Sequence, residues 1–132
     1  MTTKTNHMKQ WKGRWLIAVS AIHTAVAIAL FGKIFGSIIN EGVFNTVGTD
    51  PMTGLAVWFA FFGAMLFVFG LAVNEFEKVV SGPLPRSIGW GLIGIIAIGV
   101  TLMPASGFWL AIPPAISILR AKPNAIFIQS ET

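Results

Sequence analysis

From Met52 to Val73 the chain carries no formal charge. A helix of that length rises about 33 Å, enough to cross the hydrocarbon core of a bilayer with some tilt. Its ends are marked. Asp50-Pro51 reads as a helix N-cap followed by proline at the first helical position, where the missing N–H removes no intrahelical bond. Asn74 and Glu75 close the apolar run, and Ser81-Gly82-Pro83-Leu84-Pro85 marks a loop.

Composition extends this constraint to the whole chain. Apolar residues make up 55% and charged residues 11%, against about 25% charged in soluble domains. A water-facing surface needs more charge than this. The length of 132 residues suits one domain. Nine basic residues outweigh five acidic ones. They sit at the edges of apolar runs rather than in a basic-aromatic stripe, so no nucleic-acid partner is implied.

Three further runs complete the pattern. The first, Trp15 to Phe31, follows Trp11-Lys12-Gly13-Arg14-Trp15, the composition of a membrane-interface anchor, and Lys33 can snorkel from its far end. Ala25-Val26-Ala27 resembles a signal-peptide cleavage site, but no polar break precedes it and the apolar run continues past it. Ser87 is positioned to cap the third run, Ile88 to Met103. Pro104-Ala105-Ser106-Gly107 signals a turn, with Ser106 placed to cap the last run, Phe108 to Leu119. That run is short, and Pro113-Pro114 is expected to bend it. The expected architecture is all-α: a polytopic four-transmembrane-helix bundle with spans at 15–32, 52–73, 88–103 and 107–120, in one membrane domain over 1–132. The alternative makes the fourth run re-entrant or interfacial.

Charge sets the expected orientation. Lys4, Lys9, Lys12 and Arg14 precede the first run, Lys78 and Arg86 separate the second from the third, and Arg120 and Lys122 follow the fourth. Four crossings put these on one side and leave Lys33 on the other, so the positive-inside rule places both termini in the cytoplasm, in the inner (plasma) membrane of a cell. Between the first two spans, Ile34, Phe35, Ile38, Ile39 and Val43 share one half of a helical wheel opposite Ser37, Asn40 and Glu41, with Phe44 an exception. This spacing predicts a short amphipathic helix at 34–45, on the outer interface or over the bundle mouth.

Few residues offer chemistry. Gly89-Trp90-Gly91-Leu92-Ile93-Gly94 matches a dinucleotide fingerprint literally, but lacks the preceding strand and following acid. Gly91, Gly94 and Gly99, with Gly63 and Gly70, fit close helix approach instead. Cysteine is absent, which removes disulfides and thiolate sites. Haem needs an axial partner for His23; the other histidine, His7, lies in the polar tail, leaving only Met52, Met65 or Met103. Zinc lacks a ligand set. No cofactor, metal or catalytic constellation is expected.

His23 is the most informative single residue. It falls near the middle of the first run, and Ser20, His23, Thr24 and Ala27 share one helical face. An ionisable group at that depth is costly and faces the bundle interior. Trp58 is the least terminal tryptophan and a candidate ligand contact; Glu41, an outer-side acid, can line an entry to the bundle.

Gly13-Arg14-Trp15-Leu16, His23-Thr24, Leu84-Pro85 and Met103-Pro104-Ala105-Ser106-Gly107-Phe108-Trp109-Leu110 carry a resemblance to small bacterial four-helix membrane proteins of uncharacterised families, over residues 11–120. That resemblance implies the fold and no catalytic residues. The chain is more distantly similar to short four-helix sterol-isomerase-like proteins, whose pattern implies acidic and aromatic groups inside the spans; here the tryptophans are present and the acids are not.

Three functions follow as expectations. The first is a binding or transport bundle for a small apolar molecule, a solute or a proton passing His23. The second is a structural or accessory subunit packing against itself or a larger membrane partner. The third is an intramembrane lipid-modifying enzyme using His23, Ser20, Thr24 and Glu41. A hydrated cavity beside His23 favours the first, and a dry hydrogen bond to a neighbouring helix favours the second.

Overall fold

The computed structural model describes residues 10–80 and 82–122. The polar tail that holds Lys4, His7 and Lys9, and Ser81 of the loop, lie outside the described residues. Among those described, all regular structure is helical: α1 (Lys12–Glu41), α2 (Pro51–Val79), α3 (Arg86–Leu102), a 3-10 helix (Gly107–Ala111) and α4 (Ile112–Arg120). Two of them, α1 and α2, are long and apolar enough to cross a membrane; α3 and the segment 107–120 are shorter apolar helices.

The start of α2 forms as its sequence predicts. The Asp50 carboxylate accepts hydrogen bonds from Thr53 N at 2.8 Å and Thr53 Oγ1 at 2.5 Å, and Pro51 opens the helix. The side-chain and backbone bonds from Thr53 hold the Asp50 carboxyl below its ordinary value. The cap's contribution is therefore present above the ordinary carboxylate range and is lost as pH falls through the lowered value.

Several boundaries differ from expectation. The amphipathic helix expected at 34–45 is not a separate element. Its residues to Glu41 continue α1 without a break, because Gly32-Lys33 contains nothing stronger than one mid-helix glycine. The helix stops at Gly42, whose φ of 99° leaves the helical region. Asn74 and Glu75 end the apolar run but not α2, which continues to Val79 through the good helix formers Glu77 and Lys78. Pro85, not Ser87, precedes α3. Pro113 and Pro114 do not break a helix. They sit in the first turn of α4, where missing donors cost least, and a 3-10 turn precedes them. Ser106 flanks that turn but makes no side-chain cap, and its buried hydroxyl has no hydrogen-bond partner among the described residues.

Small residues spaced by seven join α1 to α2. Gly13, Ser20 and Ala27 are buried on α1, and Ala56, Gly63 and Gly70 on α2. A period of seven keeps one stripe facing a partner along a left-handed crossing. The stripes approach so closely that a Cβ on Gly13 would strike the backbone of Asn74, and one on Gly70 would lie 2.9 Å from Ile17 N.

The end of this pairing is stapled by Glu77. Trp11 offers α1 no side-chain cap, and its first turn holds no acid. Glu77 supplies both from α2: Oε2 accepts from Gly13 N at 3.0 Å, and Oε1 lies 3.4 Å from Lys12 N and 3.3 Å from Lys12 Nζ. The two side chains are 9% and 5% exposed. A carboxylate so placed serves orphan donors, the helix dipole and a buried ammonium at once.

The second pair is α3 with the 3-10 helix and α4. Gly89 receives Ile118 and Leu119, and Gly99 receives Phe108. The fingerprint-like glycines thus lie within a helix. Gly91 and Gly94, expected to permit close approach, face open space instead. Leu16, Val73, Leu84, Leu92, Ile96, Ala115 and Ile118 form the core that joins the two pairs. Much of the outer surface is apolar, including Phe61, Met65, Val68, Trp90 and Ile98.

Gly13→Ala is expected to destabilise the protein by about 1–3 kcal/mol through overpacking, whereas Gly94→Ala stabilises it slightly by helix propensity; thermal melts in detergent compare the two. Glu77→Gln is expected to cost about 2–4 kcal/mol, since it leaves Lys12 buried without a counter-charge. An unchanged melting temperature for Glu77→Gln would refute the staple.

Candidate functional site

Ser20, His23 and Thr24 meet α2 at the middle of the seam. Ser20 is 2% exposed. Its Oγ donates to Ile17 O at 2.7 Å, and Thr24 Oγ1 donates to Ser20 O at 2.9 Å. Both hydroxyls are therefore spent on carbonyls of their own helix, a common way for such groups to avoid being unpaired in apolar surroundings.

His23 reaches across instead. Its Nε2 lies 2.9 Å from Phe59 O on α2. A carbonyl oxygen only accepts, so Nε2 carries the proton, and in the neutral ring Nδ1 is left as an acceptor. The imidazole stacks on the Phe59 ring, with centroids 4.2 Å apart and planes 17° apart, and meets Phe62 at 5.3 Å. Gly63 makes this possible: a Cβ there would come within 2.9 Å of His23 Cδ2 and 3.2 Å of Thr24 Oγ1. Phe31 closes the cluster against Phe59 at 5.5 Å.

The remaining candidates lie elsewhere. Trp58 is 74% exposed and packs only at an angle on its helix neighbour Phe61. Glu41 ends α1, eighteen positions beyond His23, about 27 Å along the helix. The structure thus brings Ser20, His23 and Thr24 together and leaves Trp58 and Glu41 apart from them. Phe59 and Gly63 were not singled out as partners of His23. The signal that finds them is the spacing of seven running from Ala56 through Gly63 to Gly70, whose middle member is glycine.

Beside this cluster runs an open groove of about 560 Å³. Ser20, Ala21, Thr24 and Ala25 of α1 face Ala60, Gly63 and Ala64 of α2 across it. Ile17, Ile28 and Phe67 flank these small residues, so its lining is mostly apolar. Among the described residues no three His, Asp or Glu side chains come together as a metal-binding group, and none of the hydrogen bonds to His23 comes from a carboxylate. The arrangement holds two helices together through a polar link.

These features define a small all-helical protein in which two helices suited to crossing a membrane are locked by a central histidine. The chain belongs to the family of unknown function DUF6463, whose model matches residues 7–125. The expected likeness to an uncharacterised family is borne out to that extent. No curated protein and no solved structure matches the chain.

In ¹⁵N spectra of the neutral ring, His23 is expected to show a protonated Nε2 and an unprotonated Nδ1. The opposite tautomer would be incompatible with the bond to Phe59 O. His23→Phe is expected to keep the stacking on Phe59 but lose the link.

Proposed function

We propose that the protein is a multi-pass integral membrane protein, with both chain ends cytoplasmic, that serves as a structural or accessory subunit. Its α1–α2 face docks another membrane helix, from a second copy or a larger partner. The observation that carries this reading is the open, mostly apolar groove with small side chains along its centre, next to polar groups already satisfied within the protein. In a bilayer, helices associate through van der Waals packing, and small residues let their backbones approach.

The topology is supported by charge. The start of α1, the end of α2, the start of α3 and the end of α4 carry Lys12, Arg14, Lys78, Arg86, Arg120 and Lys122, while Lys33 lies toward the other end. Transport past His23 is less well supported, because its Nε2 is engaged with Phe59 O. An enzymatic role that joins His23 to Glu41 fails on their separation along α1.

One observation favours a second reading. The groove is lined mostly by apolar side chains, so a small apolar molecule is an alternative occupant. The absence of cysteine makes a test clean. Cysteine is placed at Ala64 in the groove or at exposed Ile98 on α3, and a thiol-linked photoreactive reagent is activated in native membranes. The expected result is a discrete adduct from A64C that I98C lacks. Monomer alone at both positions would remove the docking reading. Thermal stabilisation by an apolar ligand would then support the second.

A further inference from the structure

Both acids at the end of α2 are already paired. Glu77 faces inward, bound to Lys12 and Gly13. Glu75 at the surface is paired with Lys78 at 2.6 Å. Arg14, Arg86, Arg120 and Lys122 are exposed, and none makes an ion pair among the described residues.

The fold gathers these cations at one end. Glu77 ties the start of α1 to the end of α2. The short connection after Val79 brings the start of α3 there. Gly89, one turn into α3, packs on Ile118 and Leu119 near the end of α4. One of the cations sits where its own helix disfavours it. Arg86 opens α3 at the positive dipole end, and that first turn contains no acid, whereas Glu77 already serves the start of α1 beside Arg14. Arg86 has no capping side chain at Pro85 to offset this. Trp11 and Trp15 lie edge-to-face at 6.1 Å at the start of α1, and Trp15 Nε1 donates to Leu110 O at 2.7 Å, which ties the second helical pair to this end. The surface therefore has uncompensated positive charge, beside an apolar body, that an external anion would neutralise.

We propose that this end binds the headgroups of anionic phospholipids, with Arg86 and Arg120 as principal contacts and Arg14 and Lys122 beside them. Guanidinium groups pair with phosphate in a bidentate fashion, and each basic residue near an anionic surface strengthens attachment about fivefold. The proposal rests on the membrane reading, and independently of what fills the α1–α2 groove.

The test uses the full-length protein in mild nonionic detergent, melted with added phosphatidylglycerol, phosphatidylcholine or water-soluble glycerol phosphate. Phosphatidylglycerol is expected to raise the melting temperature more than phosphatidylcholine, with the preference shrinking as salt rises. Arg86→Gln combined with Arg120→Gln is expected to weaken that apparent affinity about twentyfold or more, and the paired lysine substitutions retain most of it. Arg14→Gln with Lys122→Gln provides a second variant if the first does not fold. Equal stabilisation by both lipids, or a preference unchanged in the glutamine variants, overturns the proposal. So does full reproduction by glycerol phosphate, which would make the ligand a free anion. Flotation with neutral phosphatidylcholine vesicles separates the two failures. Protein that floats but shows no preference refutes only headgroup binding, whereas protein that does not float refutes the membrane reading.

Discussion

Where α1 and α2 cross at Gly13 there is no room for a side chain, and the rest of the arrangement depends on that close approach. Because the Gly13 amide lies so near the end of α2, the Glu77 carboxylate can reach it and Lys12 together. The same register carries Gly70 onto Ile17 and Gly63 under His23. One steric condition thus positions an ion pair at one end and an aromatic stack near the middle. A wider crossing would leave the Lys12 ammonium unpaired and His23 short of Phe59 O, and each loss is costly in apolar surroundings.

The polar groups of the seam follow one rule. Hydroxyls turn back onto their own helix, and the imidazole and carboxylate reach across. A hydroxyl that back-bonds adds little between helices, whereas a cross-helix bond sets rotation and register. Specificity therefore rests on His23 and Glu77, and affinity rests on the small-residue stripes between them.

Much of this was legible in the sequence. The all-helical class, the Asp50 cap and the shared face of Ser20, His23 and Thr24 follow from runs, caps and helical periodicity. Apolar runs, however, report where lipid-like surroundings end, not where a helix ends, which is why α1 and α2 outlast theirs. Capping by Glu77 was not legible because the acid lies 64 positions from the amide it caps. The role of each glycine was only half legible. Composition marks Gly63, Gly70, Gly91 and Gly94 alike, and only the seven-residue spacing separates the seam from the open face. Pro113-Pro114 shows the converse: the same dipeptide breaks a helix interior and begins a helix well, and the preceding turn decides between them.

The two helical pairs differ in height. With 30 and 29 residues, α1 and α2 rise about 45 Å. The 17 residues of α3 rise about 26 Å, and the 3-10 helix with α4 about 24 Å. In a bilayer with a core near 30 Å, such a body presents a tall wall on one flank and a low wall on the other. Lipids beside the low wall would have to shorten or tilt to match it, while the tall wall would exceed the core and favour helix tilt instead. The protein would then favour thinner membrane on one side only, making bilayer thickness itself a variable that orients its neighbours.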